Sequence, residues 1–422
     1  MKKTRRRKKH FLNIMLTFWI TFVGVIIVGA AGIYIYNFIV GKEEAVAISP
    51  SGLTEAVSHI FTEQIPENED GRGMEDSILS GRYGEILADE TYMKVNNIYA
   101  KEALSGEEVT LSFGGDILFD PSYSVMVKLL QRTNGIYDSI APELLDEMKL
   151  ADILMLNNEF PYSDRGTPTP EKQFTFRARP ESVSILGDMG VDIVSLANNH
   201  AYDYGEDALL DTLDILKSEG MPYVGAGRDL EEAAKPVYFI VNDIKIAYVS
   251  ATQIERLDNP DTKGATDTSA GVFRCFHPDR LLEVVAEAKK NSDFVVVYIH
   301  WGTENTAEPD WLQLDQAPKI VDAGADLIIG DHPHCLQPIQ YVNGVPVVYS
   351  VGNFWFNSKQ IDTCLIKASI DGEGLKSIRF IPALQKDCKT SLLDGEEKER
   401  VLSYMRSISP GVNVDAEGYI SE

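Results

Sequence analysis

The feature that most constrains the fold is a regular change of pattern that begins at Val109. From there, short continuous apolar runs alternate with segments of helical periodicity, which favours a largely parallel or mixed sheet with helices on its faces. The predicted strands are 109–114, 153–156, 191–196, 237–241, 245–250, 294–299, 326–329, 337–341, 345–349, 365–370 and 377–382, and the predicted helices are 140–149, 206–219, 281–290, 313–323 and 398–407. Hairpin turns near the end of the chain fit a two-sheet α/β sandwich.

The first forty residues do not belong to that domain. Residues 1–10 hold seven Lys/Arg and no acid, and residues 11–40 contain no charged side chain. A run of that length exceeds the roughly 20 apolar residues that a membrane-spanning helix needs. It is also longer than the apolar core of a secretory signal, although Ala45-Val46-Ala47 offers a small-x-small site for the alternative of a cleaved signal peptide. We expect a single-pass anchor with a cytoplasmic basic tip and an extracytoplasmic remainder.

The rest of the chain is strongly acidic. The whole chain has a formal charge of −25, so the part after the basic tip carries −32. That charge argues against nucleic-acid binding through phosphates. It concentrates first in residues 41–108, which we interpret as an acidic stalk. Residues 109–385 then form the predicted main domain, and residues 386–422 a C-terminal helix and tail.

The four cysteines do not form a disulfide framework or a zinc ribbon, because their spacings contain no Cys-x-x-Cys. A bridge between Cys364 and Cys388, near neighbouring predicted strands, is left open.

Polar side chains capable of binding metal or phosphate follow five separate predicted strands. They are Asp116, Asn158 and Glu159, Asn199 and His200, His300, and His332 and His334. Ligands collect at the carboxyl ends of strands in open α/β sheets, so we expect one shared crevice. Each residue alone has an ordinary structural explanation, such as a helix N-cap for Asp116. Four of the five histidines after residue 108 lie at these strand ends, however, and mixed carboxylate, amide and imidazole ligands suit Mn, Fe or Zn.

These motifs together resemble the bacterial CapA family of capsule and poly-γ-glutamate synthesis. The resemblance runs from about Val109 to Pro382 and rests on the following series: Gly-Gly-Asp116, Asn158-Glu159, Ala-Asn-Asn-His200-Ala-Tyr-Asp203, His300-Trp-Gly-Thr-Glu304, Gly-Asp-His332-Pro-His334 and Gly352-Asn353-Phe354. The family is similar to calcineurin-like metallophosphoesterases. The resemblance therefore implies a four-layer α-β-β-α sandwich with a centre of one or two divalent metal ions.

The resemblance also implies roles for individual residues. The implied metal ligands are Asp116, Glu159, Asn199, His300, His332 and His334; the implied catalytic residues are His200, Asp203 and Glu304; the implied substrate contacts are Asn158, Asp331 and Asn353. Two departures stand out. Leu118 replaces the histidine of the phosphoesterase Asp-x-His motif, and Asp331 replaces a histidine usual in CapA proteins, which leaves a mononuclear site open.

Three functions fit these observations. The first is a metal-dependent hydrolase or transferase acting on a cell-envelope polymer or its precursor. The second is a non-catalytic, metal-binding subunit of a membrane complex for capsule synthesis, working with other membrane subunits. The third, a surface module that binds an anionic polymer, is disfavoured by the acidic body.

Overall fold

The computed structural model describes residues 81–104, 106–255 and 262–422. The described residues all belong to one compact unit, residues 73–422. The predicted basic tip, the apolar run 11–40 and most of the predicted stalk lie outside the described residues. Among the helices of the described ranges, none has the length and apolar character that crossing a membrane requires.

The described residues alternate between strands and helices, as the sequence predicts. The strands are Ile98–Ala100 (β1), Val109–Ile117 (β2), Ile153–Asn158 (β3), Ile193–Ser195 (β4), Tyr223–Val224 (β5), Ala226–Gly227 (β6), Val237–Val241 (β7), Ile244–Thr252 (β8), Gly271–Val272 (β9), Phe294–His300 (β10), Leu327–Asp331 (β11), Ile339–Val342 (β12), Val345–Val348 (β13), Asn353–Trp355 (β14), Ile361–Asp371 (β15), Gly374–Lys386 (β16), Lys389–Leu392 (β17), Asn413–Val414 (β18) and Tyr419–Ser421 (β19). The α-helices are Gly84–Leu87 (α1), Glu90–Val95 (α2), Ser124–Leu129 (α3), Pro142–Lys149 (α4), Ser184–Met189 (α5), Glu206–Ser218 (α6), Leu230–Ala234 (α7), Asp279–Asn291 (α8), Trp311–Ala323 (α9) and Gly395–Ile408 (α10).

Two large mixed sheets carry the fold. One has the order β1-β7-β8-β10-β11-β13-β12, and the other runs β18-β19-β16-β15-β2-β3-β4-β5, with β14 beside β2 and β17 beside β16. In each sheet the central strands are parallel: β8, β10 and β11 in the first, and β2, β3 and β4 in the second. The mixed α/β prediction is therefore confirmed.

Side-chain alternation packs the sheets against each other and against helices. In β10, Val296 and Tyr298 face the core between the sheets, whereas Val295 and Val297 face a second core with α8 and α9. β3 does the same, since Ile153 and Met155 point between the sheets and its alternate residues pack against α4 and α6. Period-2 alternation of apolar residues on both faces is what a strand buried on two sides requires. The described elements thus form helix, sheet, sheet and helix layers.

The two sheets extend beyond the predicted domain limits at both ends. Strand β1, inside the predicted stalk, pairs in parallel with β7. After residue 385, β17 and β19 pair with β16, and α10 contributes Val401 and Met405 to the core between the sheets. Both segments are therefore built into the domain. The cysteine bridge left open above does not form, because Cys364 and Cys388 are free thiols, as are the other two cysteines.

A clamp fastens the first described residues to the amino ends of strands. Asp243, in the turn between β7 and β8, accepts hydrogen bonds from the backbone N–H groups of Arg82 (2.8 Å) and Tyr83 (3.0 Å). Asp293, just before β10, pairs with the Arg82 guanidinium and accepts from the Tyr83 hydroxyl at 2.8 Å. The clamp therefore lies at the amino ends of these strands, and the predicted site residues lie at the opposite, carboxyl ends.

The core between the sheets gives a stability prediction. Phe113 is fully buried there and its ring lies 6.3 Å from that of Tyr248. We expect Phe113→Ala to lower the free energy of unfolding by about 3–5 kcal/mol, because it leaves a cavity that the two sheets cannot fill. Urea-induced unfolding measures this. The matched control is Phe174→Ala, at a phenylalanine that is 52% exposed, which should change stability by no more than about 0.5 kcal/mol. Equal losses in the two variants would contradict this account of the core.

Candidate metal centre

The carboxyl ends of the parallel strands of both sheets meet at one edge of the sandwich. Asp116 lies near the end of β2, Glu159 directly follows β3, and His300 and Asp331 end β10 and β11 as direct register partners. β14 places Asn353 opposite Asp116 in register. The strand-end residues predicted from the sequence are thus brought to one place.

Close backbone packing makes that approach of β14 to β2 possible. A Cβ atom at Gly115 would lie 1.7 Å from the carbonyl oxygen of Gly352, so only glycine fits at position 115. His332 and His334 have positive φ angles of 92° and 56°, a region that non-glycine residues rarely adopt. Strain of this kind is held in place by surrounding contacts and gathers at functional sites. Here it aims two imidazoles, on either side of Pro333, into the edge of the sandwich.

One group of side chains surrounds the Nε2 atom of His300. That nitrogen lies 2.8 Å from Asn199 Oδ1, 3.0 Å from His332 Nδ1 and 3.7 Å from Glu159 Oε1. Glu159, His300 and His332 can each point one ligand atom to within 4.8 Å of the others. Ligands bound about 2.1 Å from one ion lie about 3.0–3.5 Å apart. The spacing of these four side chains therefore fits a shared cation.

A second group lies on the other side of Glu159. Asp116, Glu159 and His334 also bring one ligand atom each within 4.8 Å of one another. His334 Nδ1 is 3.0 Å from Asp116 Oδ2 and 2.8 Å from Asn353 Oδ1. Because Glu159 belongs to both groups, it is the side chain that two ions would share.

Glu159 provides the clearest sign that the centre is built for a cation. Its side chain is fully buried, and within the described residues neither carboxylate oxygen has a hydrogen-bond partner. Burial, and after it the nearby charge of Asp116, raises the pKa of Glu159 well above its ordinary value. A buried carboxylate without partners is strongly unfavourable unless it is neutralised or coordinates a metal. The residues present therefore fit a bound divalent ion.

The other titratable groups of the centre respond to the same burial. Burial lowers the pKa of His300 to about 3, so its imidazole is neutral. Burial also opposes a charge on His334, but the hydrogen bond with Asp116 and the charges of Glu159, Asp116 and Glu304 together outweigh it and raise the pKa of His334 to about 9. Burial and the charge of Asp116 raise the pKa of Asp331. Metal binding to His334 would release the proton that Asp116 now stabilises.

His200 is held by a chain of polar contacts beside the two groups. Its Nδ1 lies 2.7 Å from Asp203 Oδ2, and its Nε2 lies 3.9 Å from Glu159 Oε1. Asp203 is fully buried and also accepts from Lys172 Nζ at 2.5 Å and from the Phe176 backbone N–H at 2.7 Å. Lys172 Nζ donates to the Asn199 carbonyl as well, and the Phe176 ring lies 4.1 Å from that of His200. His200 therefore presents Nε2 to the centre, and Asp203 acts through it.

The neighbours Asn157 and Asn158 have different partners, and the structure adds residues that the sequence did not predict. Asn158 donates to the Phe160 carbonyl at 2.6 Å, whereas its neighbour Asn157 donates to Asp116 Oδ1 at 2.8 Å and accepts from Asn198 Nδ2 at 3.0 Å. Strand alternation could have identified Asn157, since it continues the face of Ile153 and Met155. Lys172 and Phe176 come from a loop, where no periodic pattern in the sequence could have identified them.

Two further positions bear on the predicted ligand set. Glu304 is exposed and belongs to neither group, although its charge reaches Glu159 and His334. Leu118, at the position of the histidine that the resemblance implies, is fully buried in the core beneath the helices. It supplies no ligand. The ligand assignments themselves stay predictions.

Comparison with known proteins gives a consistent result. Residues 110–358 match the family model for the bacterial capsule synthesis protein PGA_cap. The chain is 32% identical over 285 residues to the PGA biosynthesis protein CapA of Bacillus subtilis, covering 66% of this chain and 72% of that protein. It is 29% identical over 307 residues to the capsule biosynthesis protein CapA of Bacillus anthracis, covering 70% and 72%. Among solved structures, a calcineurin-like phosphoesterase of Bacillus subtilis aligns with a TM-score of 0.37 and 15% identity, over 71% of this chain and 99% of that one.

The unpartnered carboxylate of Glu159 gives a prediction about pH. Its raised pKa means that folding favours the protonated form, whereas in the unfolded chain Glu titrates near about 4.3. Ionisation therefore opposes folding as the pH rises above that value. In chelator-treated protein at pH 7, we expect Glu159→Gln to raise the free energy of unfolding by about 1–3 kcal/mol.

The gain from Glu159→Gln should shrink as the pH falls below about 4, because the wild-type carboxyl is then mostly neutral in the unfolded chain as well as in the folded one. Urea-induced unfolding at several pH values measures this. Glu283→Gln, on the exposed surface of α8, is the control and should show no such trend. A variant less stable than wild type at pH 7 would contradict the account of Glu159.

Proposed function

Because this chain belongs to the bacterial capsule synthesis PGA_cap family, we propose that it takes part in the synthesis or export of capsule or poly-γ-glutamate. We propose further that it acts there as a metal-dependent hydrolase or transferase on a cell-envelope polymer or its precursor. The single observation that supports the catalytic part is the fully buried Glu159 carboxylate, which has no hydrogen-bond partner among the described residues and lies between two groups of ligand-type side chains.

The chain's own residues define where one or two ions of Mn, Fe or Zn would be held. Asn199, His300 and His332 would bind on one side of Glu159, and Asp116 and His334 on the other. Bound ions of this type polarise a phosphoryl or carbonyl oxygen and lower the pKa of water. Carboxylate, amide and imidazole donors suit these metals, and no thiolate is needed.

His200 is the proton donor of the proposed reaction. Its Nε2 faces the centre, and its Nδ1 is engaged by Asp203, so a proton at Nε2 can pass to a leaving group while Asp203 keeps the ring in place. Burial lowers the pKa of His200, and Asp203 opposes that effect. Asp203 therefore positions and supports His200 and does not contact substrate. Glu304, exposed outside the two groups, is available to contact a bound polymer.

A second candidate function is a non-catalytic, metal-binding subunit of a membrane polymer-synthesis complex. The observation that favours it is Leu118, which lies in the hydrophobic core and leaves β2 with one ligand, Asp116. In that case the centre would stabilise the domain, because an ion that binds only the folded chain shifts the unfolding equilibrium toward it.

We also propose that residues 11–40 anchor the protein in the cell membrane, with the N-terminus in the cytoplasm and the metal centre outside. The support is the uncharged run and the basic residues that precede it. We expect full-length protein in the membrane fraction of expressing cells, and a chain lacking residues 1–40 in the soluble fraction. A full-length chain found in the soluble fraction would contradict the anchor.

Two variants test the catalytic proposal. We expect His200→Ala to lower turnover about 10²–10⁴-fold with unchanged metal content, since it removes the proton donor but no ligand. His332→Ala combined with His334→Ala should lose both metal and turnover. Metal content is measured by mass spectrometry, and turnover with a phosphodiester and with poly-γ-glutamate. Wild-type protein that binds metal stoichiometrically but turns over neither probe would favour the subunit role.

A further inference from the structure

Asp331 and His300 form a fully buried pair at the ends of neighbouring strands. The two residues are register partners of β10 and β11, and both side chains are 0% exposed. Asp331 Oδ1 lies 3.0 Å from His300 Nδ1. The backbone N–H of Trp301 donates to the Asp331 carbonyl at 3.2 Å, which ties the ends of the two strands together. The pair is thus fixed by the sheet itself.

The two ring nitrogens of His300 have different surroundings. Nε2 faces the candidate ligand atoms of Asn199, His332 and Glu159 at 2.8–3.7 Å. Nδ1 faces Asp331 Oδ1, and the amide of Asn157, which is 3.4 Å away, makes its shorter hydrogen bond of 2.8 Å to Asp116. A neutral imidazole carries one N–H and one lone pair. With the N–H at Nδ1, the lone pair points at the candidate metal ligands.

We infer that Asp331 is a positioning residue: it accepts the Nδ1–H of His300 and so directs the Nε2 lone pair toward Glu159 and His332. The inference rests on the metal centre of the proposed function. A carboxylate behind a ligating histidine fixes its tautomer and orientation and increases its basicity.

A direct ligand role for Asp331 requires a different geometry. Asp116, His300 and Asp331 can bring one atom each within 4.8 Å, but the nitrogen of His300 closest to Asp331 is Nδ1. One imidazole offers a single lone pair to an ion. If His300 bound an ion through Nδ1 together with Asp331, its Nε2 could not bind the ion that Asn199, His332 and Glu159 surround. The geometry favours the positioning role.

The experiment compares metal binding in full-length wild type, Asp331→Asn and Asp331→Leu. Affinity for Zn²⁺ and Mn²⁺ is measured by chelator competition, and the number of bound ions by mass spectrometry. Asn keeps an acceptor for Nδ1–H, whereas Leu keeps the volume and removes the acceptor. The control is Asp326→Asn, just before the other end of β11, where the carboxylate pairs with Lys289 and the Val295 N–H.

We expect affinity to fall about 10–100-fold in Asp331→Leu and less in Asp331→Asn, with the number of bound ions unchanged. Asp326→Asn should bind metal as wild type does. In Zn²⁺-loaded protein, NMR of the imidazoles should show the Nδ1–H of His300 held in a hydrogen bond in wild type and this hydrogen bond lost in Asp331→Leu. If the Leu variant does not fold, the same comparison holds between wild type and Asp331→Asn.

Two results would overturn the inference. Wild-type affinity in both Asp331 variants would show that the carboxylate does not act on His300, and the loss of one ion with unchanged affinity for the other would make Asp331 a ligand. Failure of the proposed metal centre is distinguishable, because wild-type protein would then bind no metal at all, and failure of the catalytic role alone would leave metal binding and the Asp331 comparison unchanged.

Discussion

The structure depends on the packing of two sheets against each other. In each strand at this contact, every second residue is apolar and faces the opposite sheet. Val296 and Tyr298 of β10 and Ile153 and Met155 of β3 meet in that core, while their neighbours in sequence face the helices. This packing brings the carboxyl ends of parallel strands from both sheets to a single edge. The centre is therefore assembled from side chains that are far apart in sequence.

Charge at that edge is concentrated and shielded from water. Asp116, Glu159 and Asp331 are all fully buried, and two of them are pushed toward their neutral forms by burial and by mutual repulsion. Of the three, only Asp116 has a lowered pKa: its burial is outweighed by the hydrogen bond and charge of His334 together with smaller contributions from His300 and Asp331. Without a cation, this arrangement opposes folding. Stability and metal binding are thus set against each other at Glu159, as is common at functional sites.

Sequence reasoning located most of the centre because strand ends are easy to identify. His300 and His332 follow apolar runs that can only be buried strands, and the carboxyl-end rule places them together. It named Asn158 and missed Asn157, whose side chain donates to Asp116, because alternation near a strand end depends on register. Lys172 reaches Asp203 through a loop whose path is fixed by tertiary contacts alone. Strands as short as Ile98–Ala100 carry too few residues for periodicity to reveal them.

The clamp at Arg82 and Tyr83 determines how the domain bears mechanical load. It grips Asp243 and Asp293 at the amino end of β8, whereas Thr252, at the other end of that strand, is the register partner of His300. Nine residues of strand place these ends about 26 Å apart. A force applied to the chain before Arg82 would load the clamp's ion pair and hydrogen bonds first. The candidate metal centre lies at the far end of β8 from these contacts.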